Sequence, residues 1–362
     1  MNYSWRNIIL APLSWIYGSI TATRNWLYDK GILPSTSFNT PIISVGNLAV
    51  GGTGKTPHVE FLLNLLKSNK KVAILSRGYK RKTKGFLLAN EKANSDTIGD
   101  EPFQIFSKNP KVIVAVDEKR VHGVKKLNEL HPEIDVIVLD DAYQHRQITS
   151  GLSILLTDYS NLYTSDSHLP GGNLRESKKG SKRADIIIIT KCPEKLSAIE
   201  MRIIEKEFSI KPHQSLFFSS YKYDEIDPVF PDMVSDKISL SKIKKTKAGI
   251  LLVAGIVSPQ PIIEQLNKYT NTIETLFFKD HHAFQRQDIL AIQKKFDKIE
   301  NQEKIIMVTE KDAARIVSMP DFPNALKQVI YTIPISVKIL NNQEQIFIDK
   351  IQNYVAEDSR NS

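Results

Sequence analysis

The densest run of reactive groups lies at residues 42–57, where Ile-Ile-Ser-Val-Gly-Asn-Leu-Ala-Val-Gly-Gly-Thr-Gly-Lys-Thr-Pro passes from a β-branched strand into a glycine-rich loop. Glycines let consecutive backbone N–H groups turn inward around phosphate oxygens, and a helix beginning near Lys55 adds its positive end. Gly51, Gly52, Thr53, Gly54, Lys55 and Thr56 form the candidate phosphate loop. In such a loop the lysine reaches the outer phosphates of a nucleoside triphosphate and the hydroxyl after it can ligate Mg²⁺. The usual pattern starts with glycine five residues before the Gly-Lys pair, and here that position is Ala49.

A second run, Val136-Ile137-Val138-Leu139-Asp140-Asp141, reads as a buried strand ending in paired carboxylates. Alone it would pass for a solvated turn. Beside a phosphate loop it is the expected acidic partner for the metal, through Asp140 or Asp141. Transfer to a hydroxyl further needs a base, cationic groups and exclusion of water. The turn Gly99-Asp100-Glu101-Pro102 offers two carboxylates, although turns of this composition are commonly mere surface. Ser76-Arg77-Gly78-Tyr79 ends another strand and opens a stretch, 77–84, with five basic residues and no acidic one. Either a solvated basic face or a groove for an anionic substrate fits it. Asp280-His281-His282 and Thr309-Glu310-Lys311-Asp312 follow two later strands and suit loops facing a cleft better than a metal site.

The elements that position these groups alternate as in an α/β protein. Nearly continuous Val/Ile/Leu runs at 41–45, 71–75, 112–116, 136–139, 152–156 and 186–190, with a weaker one at 215–219, predict a parallel sheet covered on both faces. The stretch 221–247 is polar and reads as a junction, after which strands at 250–254, 275–278, 305–308 and 329–333 predict a second, smaller α/β lobe. At 362 residues two domains are expected, divided as 31–220 and 221–362, with a frayed tail at 357–362. The single cysteine, Cys192, excludes an intramolecular disulfide and thiolate-rich metal sites. A formal net charge of +9 points to an anionic partner, and charge alone does not choose among nucleic acid, membrane and phosphorylated small molecules.

Residues 1–30 form a separate amphipathic unit carrying all three tryptophans, Trp5, Trp15 and Trp26. Wound as a helix, Ile9, Leu13, Ile16, Ile20 and Leu27 share a face, with Ser14, Thr21, Asn25 and Asp29 largely opposite. The run is too short and too rich in Ser and Thr to span a bilayer. A helix docked on the protein's own core would show the same stripe; the clustering of tryptophan with Arg6 and Arg24 favours an anchor on an anionic membrane surface.

Taken together, the motifs at 46–57, 76–79, 99–102, 140–145, 169–176, 280–284 and 309–313 resemble the tetraacyldisaccharide 4'-kinase (lipid A 4'-kinase) family over most of the chain. The resemblance implies a P-loop lobe, a smaller α/β lobe that closes over the active-site cleft and an amphipathic N-terminal helix. It implies transfer of the γ-phosphoryl group of ATP, with Mg²⁺, to the 4'-hydroxyl of a tetraacylated disaccharide 1-phosphate, giving lipid IVA. The enzyme would be peripheral, at the cytoplasmic face of the bacterial inner membrane. Lys55 and Thr56 would take the phosphate and metal positions, with Asp140 or Asp141 completing the metal environment. Asp100 would activate the sugar hydroxyl, assisted by a histidine of the 280–282 cluster, His281 being favoured over His282. Arg77, Tyr79, Arg120 and Glu176 would line the disaccharide or its 1-phosphate. No nucleic acid and no obligate protein partner are expected. A metallochaperone or GTPase would want a cysteine pair or a guanine-selecting Asn-Lys-x-Asp, and neither occurs.

Overall fold

A computed structural model describes residues 5–358 apart from 224, 235, 257, 258, 280, 281, 283 and 320, with side-chain surroundings given from residue 9 to 356. The chain divides into two compact units. The first comprises Met1–Lys92, Ile105–Tyr221 and Val337–Ser362; the second comprises Ala93–Gln104 and Lys222–Ser336.

In the first unit the apolar runs become β1 (Ile42–Asn47), β2 (Val72–Ser76), β3 (Leu87–Leu88), β4 (Ile113–Val116), β5 (Val136–Asp140), β6 (Leu152–Asp158), β7 (Ile186–Thr190) and β8 (Ser215–Tyr223). In the second, β9 (Asp227–Pro228), β10 (Gly249–Ala254), β11 (Ile273–Phe277), β12 (Lys304–Val308) and β13 (Ile330–Thr332) form a sheet ordered β11-β10-β12-β13-β9, antiparallel only at β9. The chain then returns through β14 (Ile335–Ile339), completing a first sheet ordered β14-β8-β7-β6-β1-β5-β2-β4-β3. Pairing from β4 to β8 is parallel throughout, and β3 runs antiparallel on β4. Every residue of β1, β2, β5 and β7 is buried, as continuous β-branched runs require when helices cover both faces.

Two segments lie outside the expected division. Residues 93–104, which carry Asp100, belong with 222–336, held by pairs to Arg315 and Lys311 described below. Residues 337–358 belong with the P-loop sheet, because β14 extends that sheet and the helix Glu344–Asp358 buries Phe347, Ile351 and Val355 in its core. Phe347 meets Phe217 edge-on at 5.3 Å and Phe61 at 5.8 Å. The polar stretch 221–247 is also more ordered than its composition suggests, containing the end of β8, β9 and a helix, Leu240–Thr246. The helix near the C-terminus continues to Asp358, so the expected tail at 357–362 begins inside it and 359–362 lie outside the described residues.

The N-terminal helix spans Trp5–Asp29. Its apolar stripe is exposed, Ile9 at 65%, Trp15 at 75% and Ile20 at 64%, so the reading in which it covers the core does not hold. The polar side faces the protein instead. Ser14 accepts from the Gly171 amide (2.9 Å), the Tyr17 hydroxyl donates to the Arg175 carbonyl (3.0 Å), and Asn25 donates to Glu176 (2.6 Å). Among the described residues no helix is long and apolar enough to cross a membrane.

Candidate functional site

Register brings the first chemical groups together. Val45 of β1 pairs with Asp140 of β5, so the glycine loop and the two aspartates leave the same sheet edge side by side. Ligands of open parallel sheets bind beyond such carboxyl ends. Gly46 permits the close approach: a Cβ there would lie 2.6 Å from the Tyr143 Cβ.

The loop is anchored through its carbonyls. Lys191 donates to the Gly52 carbonyl, the Thr190 hydroxyl donates to that of Thr53 (2.9 Å), and His58 Nδ1 donates to that of Gly54 (2.7 Å). A carbonyl only accepts, so Nδ1 carries the proton and Nε2 accepts from the Ser219 hydroxyl at 2.9 Å. Burial pushes the His58 imidazole down to about 4, against the Gly54 hydrogen bond that raises it, and the ring is neutral near pH 7. Lys191 is itself held by Asp158 at 2.6 Å. Three successive carbonyls are thus tied back, and the Thr53 amide is bonded to the Gly51 carbonyl at 3.0 Å, so the loop is held in one shape at the start of the helix. Gly54 has φ +81°, and a Cβ there would fall 2.2 Å from the Tyr221 hydroxyl. The helix Lys55–Leu66 starts immediately after it.

Lys55 Nζ lies 3.5 Å from Asp141 Oδ1, and Arg175 Nη1 donates to both Asp141 oxygens at 3.0 and 3.1 Å. Burial raises the Asp141 carboxyl, but Lys55 and Arg175 outweigh it and hold it below the usual range. Asp141 also sits in the left-handed region (φ +47°), which aspartate tolerates better than most residues. Asp140 is buried; its Oδ2 accepts from the Ser76 hydroxyl at 2.8 Å. Among the described residues no group of three His, Cys, Asp or Glu side chains could hold a metal ion. That donor set fits Mg²⁺ as phosphate-bound metal, which takes one or two carboxylates and completes its shell from phosphates and water. Asp140 ends β5 with Asp141 directly after it, and Thr56 is the second residue of the helix that follows the loop.

The residues expected on the acceptor side separate into exposed and enclosed groups. Arg77 and Tyr79 are exposed after β2, with Lys80 over the Tyr79 ring at 5.7 Å. Arg120 is buried at the start of its helix and donates to the carbonyls of Asp117 and Asp140. Burial lowers its guanidinium to about 10 despite Asp140 and Asp141, so it stays charged. Glu176 is also buried. Arg183 donates to both its oxygens (3.0 and 2.9 Å), joined by Asn25 and by Gln144 at 3.1 Å. Its carboxylate is thus a bracket linking the N-terminal helix to the 140–146 and 168–176 loops. His145, which stood in a motif but carried no expected role, is pushed to about 4 by burial and then by Arg120 and Arg77. Arg175 likewise stood in the motif at 169–176; its partnership with Asp141, 34 residues away in sequence, is not written locally.

In the second unit Asp100 opens the helix Asp100–Lys108 after Gly99 (φ +95°). Arg315 grips it, Nε and Nη2 both donating to Asp100 Oδ2 at 3.0 and 2.7 Å. Lys311, one turn earlier on the helix Glu310–Val317, lies 3.9 Å from Glu101. His282 is committed elsewhere: its ring stacks on Phe278 at 4.6 Å and its Nε2 bonds Asp288 at 2.8 Å. His281, the favoured partner for Asp100, lies outside the described residues, as does Asp280.

The family model described as Tetraacyldisaccharide-1-P 4'-kinase matches residues 6–356. A protein of Bacteroides thetaiotaomicron named tetraacyldisaccharide 4'-kinase is 48% identical over 360 residues, covering 98% of this chain and 94% of that protein. One of the same name from Flavobacterium johnsoniae is 44% identical over 349 residues, covering 96% and 97%. The crystal structure of an "apo" form of LpxK from Aquifex aeolicus in complex with ATP superposes with a TM-score of 0.73 at 28% identity, covering 96% of this chain and 99% of that one. With the glycine loop, the paired aspartates and the sheet order all in place, the chain belongs to the tetraacyldisaccharide 4'-kinase family.

Proposed function

We propose that this protein transfers the γ-phosphoryl group of ATP to the 4'-hydroxyl of a tetraacyldisaccharide 1-phosphate, giving lipid IVA, while bound peripherally to an anionic membrane surface at the cytoplasmic face of the inner membrane. The observation that carries the reading is the anchored loop 51–56 beside Lys55, Asp140 and Asp141, on a chain belonging to this family. Loop amides and Lys55 hold the phosphates in line. Thr56, with Asp140 or Asp141, would hold Mg²⁺, which would supply charge neutralisation to the transferring phosphoryl group. Entry of a triphosphate gives Lys55 a stronger partner than Asp141, leaving Arg175 as that carboxylate's counter-charge.

Asp100 takes the proton of the 4'-hydroxyl, with His281 as its partner, and Arg77, Tyr79 and Arg120 supply the basic side for an anionic disaccharide. Glu176 acts by holding the loops around them. The N-terminal helix lays Ile9, Leu13, Ile16, Ile20, Trp15 and Trp26 on the lipid while its polar side stays on the protein. Incubation of the protein with ATP, Mg²⁺ and a tetraacyldisaccharide 1-phosphate, followed by NMR of the isolated lipid, tests the assignment. A new phosphomonoester at the 4' position is expected; unchanged lipid, or a phosphate at another hydroxyl, contradicts it.

A further inference from the structure

The grip of Arg315 on Asp100 belongs to a longer chain of contacts. Arg315 Nη1 donates to Asp312 Oδ1 at 2.9 Å, one turn earlier on the same helix. Asp312 is fully buried, and its Oδ2 accepts from the Gly255 amide (2.8 Å) and the Thr309 hydroxyl (2.7 Å). A carboxylate this deep is tolerated only when charge-paired and hydrogen-bonded, and here both conditions are met. A Cβ at Gly255 would lie 3.0 Å from Asp312 Oδ1, so the loop after β10 is drawn against that carboxylate. The order is therefore backbone amide and hydroxyl, Asp312, Arg315, Asp100. Each link fixes the next.

We infer that Arg315, aligned by Asp312, is the positioning residue that orients Asp100 and keeps it ionised for proton transfer; the inference rests on the role given to Asp100 above. Two donors on a rigid guanidinium converging on one oxygen fix the position of that oxygen more tightly than a single flexible ammonium would. Arg315 and, through it, Asp312 are tied to this group, with Glu101 beside Asp100 and Lys311 facing Glu101. Asp312 and Asp100 are two carboxylates sharing one guanidinium. Withdrawing the guanidinium removes the counter-charge that the two carboxylates share.

The test is the pH dependence of kcat in purified full-length Arg315→Gln and Arg315→Lys proteins, with folding checked by circular dichroism. In Arg315→Gln the acid limb should move up by about one pH unit or more, with KM for ATP within about twofold of the parent. In Arg315→Lys the limb should stay near its parental position, because the charge remains, while kcat falls about tenfold or more because the two-point grip is gone. If Arg315→Gln does not fold, the double variant Asp100→Asn/Arg315→Lys decides. It should be no slower than Asp100→Asn alone, since Arg315 acts only through Asp100. Multiplicative losses in that cycle, or an unmoved acid limb in a folded Arg315→Gln protein, overturn the inference. Parental kcat in Asp100→Asn would instead overturn the role of Asp100 itself.

Discussion

Asp141 stands between two cations, 3.5 Å from the Lys55 ammonium and 3.0 Å from the Arg175 guanidinium. The lysine that a triphosphate needs is thus held in place by a carboxylate that has a second partner ready. Lys55 is thus paired to a carboxylate that does not depend on it alone. Lys55→Ala and Thr56→Ala should each lower transfer by about 10²-fold or more while leaving the fold intact, since removal of one preorganised charge contact commonly costs that much. Steady-state kinetics on proteins with parental melting temperatures provide the check, and near-parental turnover in Lys55→Ala would refute the assignment.

The carbonyl anchors of the loop lead to a separate expectation. Thr190→Val removes the donor to the Thr53 carbonyl without changing side-chain volume much, and leaves that buried carbonyl without its 2.9 Å bond. A buried acceptor left unsatisfied costs about 1–3 kcal/mol. ATP affinity should fall by roughly tenfold, read by calorimetric titration, with less effect on kcat once the site is saturated. Equal ATP affinity in the variant would mean that the loop holds its shape without this anchor.

His58 makes stability depend on pH. Its folded value of about 4 lies below the ordinary 6.5, so between those limits the unfolded chain binds more protons than the native one. Its contribution is complete above pH 6.5 and is lost progressively as the pH falls towards 4. About two and a half pH units correspond to roughly 3 kcal/mol. His145, also lowered to about 4, adds in the same direction. Urea unfolding from pH 7 to pH 4 should show the decline, and His58→Gln should flatten it relative to the parent. A parental slope in that variant would assign the effect to other groups.

The N-terminal helix separates lipid binding from stability. Trp15→Ser with Ile20→Ser changes exposed positions and should leave the unfolding free energy within about 1 kcal/mol of the parent. Sedimentation with anionic vesicles should nevertheless fall several-fold. Deleting residues 1–30 is a different change, because it also strips Asn25 from Glu176 and Tyr17 from the Arg175 carbonyl. It should lower both vesicle binding and kcat. Full vesicle binding by the double Ser variant would contradict the membrane role of the apolar stripe.

How legible these features were in the amino-acid sequence follows from the distances involved. The phosphate loop is contiguous, so Gly51 to Thr56 announce it without help from the rest of the chain. Asp140 and Asp141 are legible as a strand end, and β-branched runs mark the buried strands. The pair Asp100–Arg315 spans 215 residues and joins two motifs whose relation no spacing expresses. The two-residue strands Leu87–Leu88 and Asp227–Pro228 are too short for any periodicity. The return of β14 to the first sheet depends on an open edge at β8, which is a property of the assembled sheet. The N-terminal stripe was legible as amphipathic, and its clustered tryptophans favoured an outward-facing anchor, but the polar contacts that hold it so were not legible. That choice is made by Ser14, Tyr17 and Asn25 finding partners at 171–176.

The most direct test of the whole account is a transfer assay with γ-labelled ATP, Mg²⁺ and a tetraacyldisaccharide 1-phosphate dispersed in detergent. Label should appear in the lipid, in proportion to enzyme, and should vanish when Lys55→Ala protein replaces the parent. Label recovered only as inorganic phosphate released to water would contradict the account.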